Sequence, residues 1–371
     1  MIVFVIVRVG YDCVPEQLSG SGVGRYAREL HAAIQREDDV DVVPLGRAHA
    51  SLDSAGPVRR AALGLWREGA YYPRLMEREA RAADAVLVHA PGGFLGVVRD
   101  RPQVANVHDV LPLRHPELFP RAIVATQRLF LRRRAPRATR VIAISEQTRA
   151  DVVELLGVAS ERVVVIPAGV DERFHPSERD ADWLRERFGI DGRYVLCVGT
   201  LEPRKNLVGA LRAFRLAAAE RDDVVLAIVG GAGWRNEAYE RELAAGGPVR
   251  VVATGYVSDA ELVRLYGGAE CFLFPSLGEG FGMPVLEAMA CGTPVVASNR
   301  PALPEVVGEG GLMADPLDPE ALAEALGRVL DDATLAADLR DRGLAHARRF
   351  TWSACASATA AVYREALADF H

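Results

Sequence analysis

The chain reads as an α/β protein built on two doubly wound parallel sheets, and three features of the sequence lead there. Short apolar runs alternate with amphipathic stretches such as "GRYARELHAAIQR" through most of its length. Runs that are apolar throughout, and not only at every second residue, suit strands covered by helices on both faces. The alternation then restarts near residue 193, after the polar, proline-bearing stretch "PAGVDERFHPSERD". A chain of 371 residues has room for two such domains, since folded units usually run to about 100–200 residues.

Strands are expected at 2–9, 40–44, 85–89, 103–107, 140–144, 162–166, 194–199, 223–229, 249–253, 270–274 and 294–297. The opening "MIVFVIVRVG" is apolar, but Arg8 interrupts it and no basic residue precedes it. It is too short to cross a bilayer and lacks the layout of a signal peptide, so it reads as the first buried strand. Domains are expected at 1–168 and 169–350, followed by a helix over 351–371. Thr351 is its expected N-cap. Trp352, Cys355, Ala356, Thr359, Tyr363, Ala366, Leu367 and Phe370 share one face of that helix, which must be buried against one of the domains.

A net charge of −6 argues against general affinity for nucleic acid and leaves room for a local basic patch. Five scattered cysteines form no CxxC pair and no His/Cys spacing. Neither a disulfide framework nor a zinc site is expected, and a reduced cytosol fits.

Three constellations carry candidate chemistry. The first is "LSGSGVGRYAREL", in which Gly20, Gly22 and Gly24 lead into a helix. Glycines there let backbone N–H groups approach an anion at a helix start. A dinucleotide fingerprint would have a tight loop and an acid after the second strand. This loop is long and "VDVVPLGR" has no such acid, so NAD is not expected; a plain loop is the bland reading.

The second is "VLCVGTLEPRKN", where a strand ends at Gly199 and Arg204 and Lys205 follow. Lys205 is the only lysine in the chain beside 43 arginines. The carboxyl end of a parallel strand is where such sheets bind ligands. Cations at a helix start are normally disfavoured, which makes the pair informative. The pattern is not a P-loop.

The third is "GEGFGMPVLEAMACGTPVVAS". Pro284 suits a first helical position, which would put Glu287 in the first turn and Glu279 in the loop before it. Each carboxylate could accept two hydrogen bonds from adjacent hydroxyls, as on ribose or a hexose. The bland reading is a loop acid and a dipole-stabilising acid. A glycosidase pair is a third reading, and the spacing in sequence does not separate them. His108, in "VANVHDVLP", adds an imidazole at the end of a first-domain strand. The "DAD" of 180–182 matches a metal-binding DxD by letters, but it precedes "WLRERFG" and reads as a cap and first-turn acid.

Taken together these blocks resemble the retaining GT-B glycosyltransferases of glycosyltransferase family 4. "GSGVGRY", "NVHDVLPLRHPELF", "AISEQTRADVVELLGV", "VVVIPAGVD", "VGTLEPRKNL", "GYVSDAELVRLY" and "GEGFGMPVLEAMACGTPVVAS" occur in the family's order. The resemblance implies two Rossmann-like domains with a sugar nucleotide in the cleft, mainly on the second. It also implies a C-terminal helix that packs back on the N-terminal, acceptor-side domain. Gly22, Gly24 and neighbouring backbone would face the diphosphate and sugar, and His108 the donor sugar near the reacting centre. Arg204 and Lys205 would bind the diphosphate, and backbone around Tyr256 and Val257 the base. Glu279, with the backbone of Gly280, Phe281, Gly282 and Met283, would hold the sugar hydroxyls, and Glu287 the ribose.

No protein nucleophile stands out, no cofactor is implied and no metal is expected. The donor would be a nucleoside-diphosphate sugar, with GDP-mannose favoured because the wording resembles bacterial mannosyl- and rhamnosyltransferases. The acceptor would be a saccharide, a lipid-linked saccharide or a small molecule. Residues 121–140 carry seven arginines and no acids. They suggest either a solvated face or peripheral contact with an anionic membrane at the inner face of a cytoplasmic enzyme's compartment. Competing readings are a sugar-nucleotide 2-epimerase or hydrolase on the same architecture, and a non-catalytic glycan-binding scaffold.

Overall fold

The computed structural model describes residues 6–17, 22–46, 67–93, 96–247 and 249–370. They form two compact units: the described residues up to Gly169 together with those from Thr351, and Val170–Phe350.

In the first unit six strands lie parallel: β1 (Val7–Asp12), β2 (Val40–Leu45), β3 (Leu87–Ala90), β4 (Gln103–Val107), β5 (Arg140–Ala143) and β6 (Val163–Val165). Their order is β2-β1-β3-β4-β5-β6. The first strand, expected at 2–9, lies instead at Val7–Asp12, and residues 1–5 fall outside the described residues. Its alternate residues Val9 and Tyr11 are fully buried, while Arg8 turns out to pair with Asp41 of β2 at 2.7 Å. Helix α1 (Gly22–Ile34) follows β1, and α2 (Glu146–Leu156) follows β5. Ser145 caps α2 by accepting from the Thr148 N–H at 3.0 Å, and Gly157 ends it at φ 70°, a left-handed turn that glycine adopts without strain.

The C-terminal helix, Trp352–Ala368, packs against α1 and β4. Thr351 caps it, accepting from the Ala354 N–H at 3.1 Å. Cys355, Ala356, Thr359, Tyr363 and Ala366 are buried, and the Thr359 hydroxyl is satisfied by the Cys355 carbonyl at 2.8 Å. Phe370, read as part of the stripe, is exposed, whereas Ala360 and Val362 join the buried face. The helix gives way to a turn after Ala368, so the helical period no longer sets where Phe370 points.

The second unit repeats the plan with β7 (Arg193–Val198), β8 (Val224–Val229), β9 (Arg250–Gly255), β10 (Cys271–Phe274), β11 (Val295–Ser298) and β12 (Gly311–Ala314), in the order β12-β11-β10-β7-β8-β9. Every pairing is parallel. Its helices include α3 (Leu207–Ala217), α4 (Asp259–Gly267) and α5 (Met283–Ala290). Val195, Leu226 and Leu273 from the sheet pack with Phe214 of α3 in one apolar core. Cys197 and Cys271 are buried there, and burial pushes both thiols up, so they behave as apolar side chains.

In both sheets the first strand sends its successors to opposite sides. The reversal falls between β1 and β3 in the first unit and between β7 and β10 in the second. Loops leaving the carboxyl ends of such a pair diverge, and a crevice opens between them where ligands bind.

Buried titratable groups in the first unit pull against each other with pH. Asp12 accepts from the Val14 N–H at 3.1 Å and from the Tyr72 hydroxyl at 3.0 Å, yet burial raises its pKa to about 7. Burial lowers His89 and His108 to about 4. A raised carboxyl adds stability that is full below its unfolded pKa of 3.8 and lost as pH rises through 7. A depressed histidine adds stability that is full above its unfolded pKa of 6.5 and lost as pH falls toward 4. From pH 7 to 5 the two histidines therefore destabilise and Asp12 opposes them. Asp12→Asn, which cannot titrate, should lose unfolding free energy more steeply than wild type over that range, by up to about 1.4 kcal/mol per pH unit. Parallel melting curves across pH would show Asp12 to be ionised in the fold.

Candidate functional site

The strongest gathering of charge lies at the strand-order reversal of the second unit. After β7 the chain turns at Gly199, runs through Thr200–Glu202, and winds one 3₁₀ turn over Pro203–Lys205 before α3 begins at Leu207. Arg204 and Lys205 thus precede the helix and do not start it. Anionic side chains, more than the helix dipole, decide their surroundings. Asn206 makes the join at φ 54°, a left-handed conformation that asparagine tolerates. Its side-chain oxygen accepts from the Gly209 N–H at 3.3 Å, and its Nδ2 donates to the carbonyls of Pro275 (3.1 Å) and Pro316 (2.7 Å). One residue therefore caps α3 and fastens the loop after β7 to the loop after β10.

The loop after β8 braces the same segment. The Gly199 N–H donates to Val229 at 2.9 Å and the Leu201 N–H to Gly231 at 3.0 Å. A Cβ on Gly230 would lie 1.9 Å from the Gly199 carbonyl oxygen, and one on Gly233 would lie 2.5 Å from that of Leu201. Only glycine permits this approach.

The braced loop presents two cations to two carboxylates. Lys205 Nζ donates to Glu279 Oε1 at 2.7 Å, and Arg204 Nη1 lies 2.5 Å from Glu279 Oε2. On its other side the Arg204 guanidinium reaches Glu202 Oε1 through Nε (2.9 Å) and Nη2 (2.6 Å). Nη1 also donates to the Gly278 carbonyl at 2.9 Å. Lys205 Nζ sits 4.7 Å over the Phe274 ring, a further cation contact. All four side chains are largely buried, Lys205 to 11% exposure and Glu279 to 10%. Burial lowers the Lys205 pKa, and Glu279 counters it. For Glu279 burial works toward protonation, but Arg204 and Lys205 outweigh it and hold the carboxyl at about 2. Glu279 is an anion at any physiological pH.

The glycine-rich connection 278–282 carries Glu279 to this point and then enters α5. Gly282 is the N-cap, at φ 112°. The helix starts at Met283, one residue before Pro284, which places Glu287 in its second turn. The expected first-turn position is thereby corrected, and dipole stabilisation is not its role. Glu287 is buried and accepts from the Tyr266 hydroxyl at 3.1 Å. Phe281 is buried too. Between β9 and α4, Tyr256 is 71% exposed and Val257 is buried, and Ser258 with Glu261 forms a reciprocal capping box. The structure brings Arg204, Lys205 and Glu279 into direct contact, while Glu287 has its own partner on α4.

In the first unit Gly22 opens α1 and Gly24 is buried in it; Gly20 lies outside the described residues. His108 follows β4 directly. Its Nε2 lies 2.7 Å from the Pro91 carbonyl, which can only accept. The neutral imidazole therefore carries its proton on Nε2, and Nδ1 is the acceptor. Asp180 and Asp182 take the cap and first-turn places read from the sequence: Asp180 accepts from the Trp183 N–H at 3.0 Å, and Asp182 pairs with Arg185.

Three residues with metal-ligating atoms do meet, which the linear spacing concealed: Cys13, Glu16 and His31. The fold satisfies them through each other. His31 Nδ1 lies 2.7 Å from Glu16 Oε1, its ring stacks on Tyr11 at 4.7 Å, and the Cys13 thiol donates to the Tyr11 carbonyl.

Sequence reasoning passed over Glu202 and Asn206. The asparagine was legible as a cap before "LVGALRAF"; nothing in the sequence distinguishes Glu202 from a surface acid.

Two family models match the chain. One, described as Glycosyltransferase Family 4, covers residues 20–174, and the other, Glycosyl transferases group 1, covers residues 182–346. O-antigen chain mannosyltransferase B of Escherichia coli is 30% identical over 368 residues, covering 93% of this chain and 96% of that one. Among solved structures, sucrose-phosphate synthase (tll1590) from Thermosynechococcus elongatus superposes with a TM-score of 0.75 at 23% identity, covering 98% and 99% of the two chains. HepE of Anabaena, solved with UDP and glucose, superposes with a TM-score of 0.69 at 21% identity over 97% and 100%. Both show the two-domain GT-B architecture on which this fold is built.

Proposed function

The chain belongs to glycosyltransferase family 4, and we propose that it moves a hexose, mannose in the first instance, from a nucleoside-diphosphate sugar with retention and without a metal ion. The observation that carries this reading is the buried pair Arg204 and Lys205 at the carboxyl end of β7, in contact with an obligate anion, Glu279. Breaking a glycosyl phosphate builds negative charge on the departing diphosphate. Fixed cations that meet this charge stabilise the transition state more than the ground state. A diphosphate here would compete with Glu279 for the two cations. Glu279, kept ionised only while the two cations stay beside it, can also accept from sugar hydroxyls.

The remaining roles follow the family's motif. Backbone of Gly280, Phe281, Gly282 and Met283 surrounds the sugar, and Glu287 accepts from the ribose hydroxyls. Backbone at Tyr256 and Val257 meets the base. In the first unit Gly22 opens α1 and Gly24 lies within it. His108, neutral at physiological pH, offers Nδ1 as an acceptor to a sugar hydroxyl. Charge for the leaving group is supplied by side chains, so no metal or other cofactor has a place in the scheme. Mannose is favoured because the O-antigen relative named above is a mannosyltransferase.

The test is incubation with GDP-mannose, UDP-glucose and dTDP-rhamnose, each with and without a saccharide or lipid-linked acceptor, in EDTA. GDP-mannose should give the largest thermal shift and an α-linked product by NMR. A β-mannoside formed from GDP-mannose would overturn retention, and activity lost in EDTA and restored by magnesium would overturn metal independence. Epimer or free sugar formed without acceptor would favour the epimerase or hydrolase, and no shift with any donor would favour a binding scaffold.

Lys205 is the sharpest single probe. Lys205→Ala should lower turnover by about 10²–10³, the scale of one lost transition-state contact. Lys205→Arg should keep the fold and lose about tenfold in kcat/KM, because a second planar fork beside Arg204 fits less well than a compact ammonium. Wild-type kinetics for the arginine variant would show that charge alone suffices.

We also propose peripheral contact with an anionic membrane through the arginine-rich segment of the first unit, at the cytoplasmic face. Among the described residues no helix is long and apolar enough to cross a membrane. Two of the segment's seven arginines are occupied elsewhere: Arg134 is buried against the Phe130 ring at 4.7 Å, and Arg140 pairs with Asp369 and Glu365. Arg121, Arg128, Arg132, Arg133 and Arg137 are exposed, with Ile123 and Leu129 exposed among them. Replacing Arg128, Arg132 and Arg133 with serine should reduce flotation with phosphatidylglycerol vesicles. Unchanged flotation would leave the segment as a solvated face.

A further inference from the structure

Beneath His108 a closed circuit of buried polar groups begins and ends on the C-terminal helix. His89 Nε2 is 2.6 Å from Asn106 Oδ1, and His89 Nδ1 is 2.6 Å from the Tyr363 hydroxyl. Asn106 Nδ2 donates to the Tyr26 hydroxyl at 2.8 Å, and that hydroxyl lies 3.7 Å from the Cys355 sulfur. An amide oxygen can only accept, so His89 must carry its proton on Nε2. Its Nδ1 is then the acceptor for the Tyr363 O–H. Tyr26 already accepts from Asn106, which leaves its own proton for Cys355. Every donor points the same way: Tyr363 to His89, His89 to Asn106, Asn106 to Tyr26, Tyr26 to Cys355. Burial, which holds His89 neutral with a pKa of about 4, keeps this order intact at physiological pH. All five side chains are at most 2% exposed.

A polar circuit this deep is costly unless complete, and complete it fixes a single arrangement. Two of its members lie beside His108 within the first unit. Asn106 is on β4, two residues before His108. Tyr26 is on α1, the helix that Gly22 opens, and its ring meets the His108 imidazole edge to face, 4.7 Å between centroids at 79°. Trp352, the first residue of the C-terminal helix, meets the Tyr26 ring at 5.3 Å and 71°. The His108 ring is therefore held on one side by the Tyr26 ring and through Nε2 by the Pro91 carbonyl.

We propose that Tyr26 is a positioning residue for His108: the circuit through His89, Asn106, Tyr363 and Cys355 seats the Tyr26 ring, and that ring holds the imidazole with Nδ1 presented as the acceptor. The proposal rests on the reading of His108 as a residue of the transfer reaction, and it assigns the C-terminal helix a share in setting that residue's orientation.

Histidine ¹⁵N NMR on the full chain tests it without need of a donor, with the His108 signals assigned by their loss in His108→Gln. Wild type should show a neutral imidazole protonated on Nε2 at pH 6. Tyr26→Leu should show mixed tautomers and titrate closer to an ordinary histidine, while Tyr26→Phe, which keeps the ring, should retain the wild-type tautomer with a lower melting temperature. With GDP-mannose as donor, Tyr26→Leu should lower kcat at least tenfold with donor KM within twofold, and Tyr26→Phe should recover most of that loss. A folded Tyr26→Leu with the wild-type tautomer, titration and kcat would overturn the proposal. If His108→Ala leaves kcat unchanged, the reading of His108 has failed. If His108→Ala lowers kcat and folded Tyr26→Leu does not, only the positioning role has failed. Should Tyr26→Leu not fold, Tyr26→Met removes the aromatic ring with less loss of volume, and an unchanged His108 tautomer in that folded variant would equally overturn the proposal.

Discussion

The contact between Glu279 and the two cations governs the second unit. Burying one carboxylate or one ammonium alone would be prohibitive, and each is tolerated because the others are there. Glu279 bridges Lys205 and Arg204, and Glu202 takes the remaining edge of the guanidinium. The four formal charges cancel. The loops that carry them must then be held to within a fraction of an ångström, and the local sequence is devoted to this. Asn206 ties the loop after β7 to the loop after β10, and Gly230 and Gly233 let the loop after β8 lie directly against the same backbone. A buried ion cluster contributes little net stability compared with an apolar core of the same volume. This one lies at a strand-order reversal, the place where sheets of this kind bind ligands.

The first unit handles buried polarity differently. It gathers groups that burial pushes toward their neutral forms: His89 and His108 with depressed pKa values, Asp12 with one raised to about 7, and tyrosine hydroxyls that hydrogen-bond across elements. One unit thus buries a charge-balanced ion cluster, and the other buries a set of hydrogen-bonded polar groups. The division follows from residue chemistry within each unit taken separately.

Much of this was legible in the sequence, and what was not has identifiable causes. Continuous apolar runs located β2 through β11 because a strand covered on both faces cannot alternate with polar residues. β12 escaped because "GLMA" is short and begins with glycine; its edge position leaves Met313 exposed and removes the apolar signal. Arg204 and Lys205 read as a helix start, but a 3₁₀ turn over Pro203–Lys205 comes first and Asn206, the residue that caps the helix, sets its start at Leu207. Pro284 fixed the start of α5 to within one residue, since proline is equally at ease at the first and second helical positions, and that single residue carried Glu287 out of the first turn. Contacts between residues far apart in sequence, such as Glu202 in the cation cluster or the meeting of Cys13, Glu16 and His31, leave no periodic trace. Only the topology reveals them.

The solitary lysine finds its explanation in the shape of its surroundings. Its stem runs along Gly199, where an added Cβ would approach the Lys205 Cε to 3.0 Å, and its ammonium sits over the face of Phe274 while it reaches Glu279. This is a narrow passage with a point-like acceptor at its end. An ammonium on an unbranched stem fits it, and a planar guanidinium needs lateral room that Gly199 and the ring do not leave. Arg204, next along the chain, has the opposite requirement. It must touch Glu202 on one edge and Glu279 and the Gly278 carbonyl on the other, which a fork of five N–H groups does and a single ammonium cannot. The two neighbouring cations therefore differ because their acceptors differ in geometry, one a single oxygen at the end of a slot and the other a set of oxygens spread around a plane. Elsewhere the chain's preference for arginine costs nothing, since exposed ion pairs accept either cation. At position 205 the geometry overrides the composition.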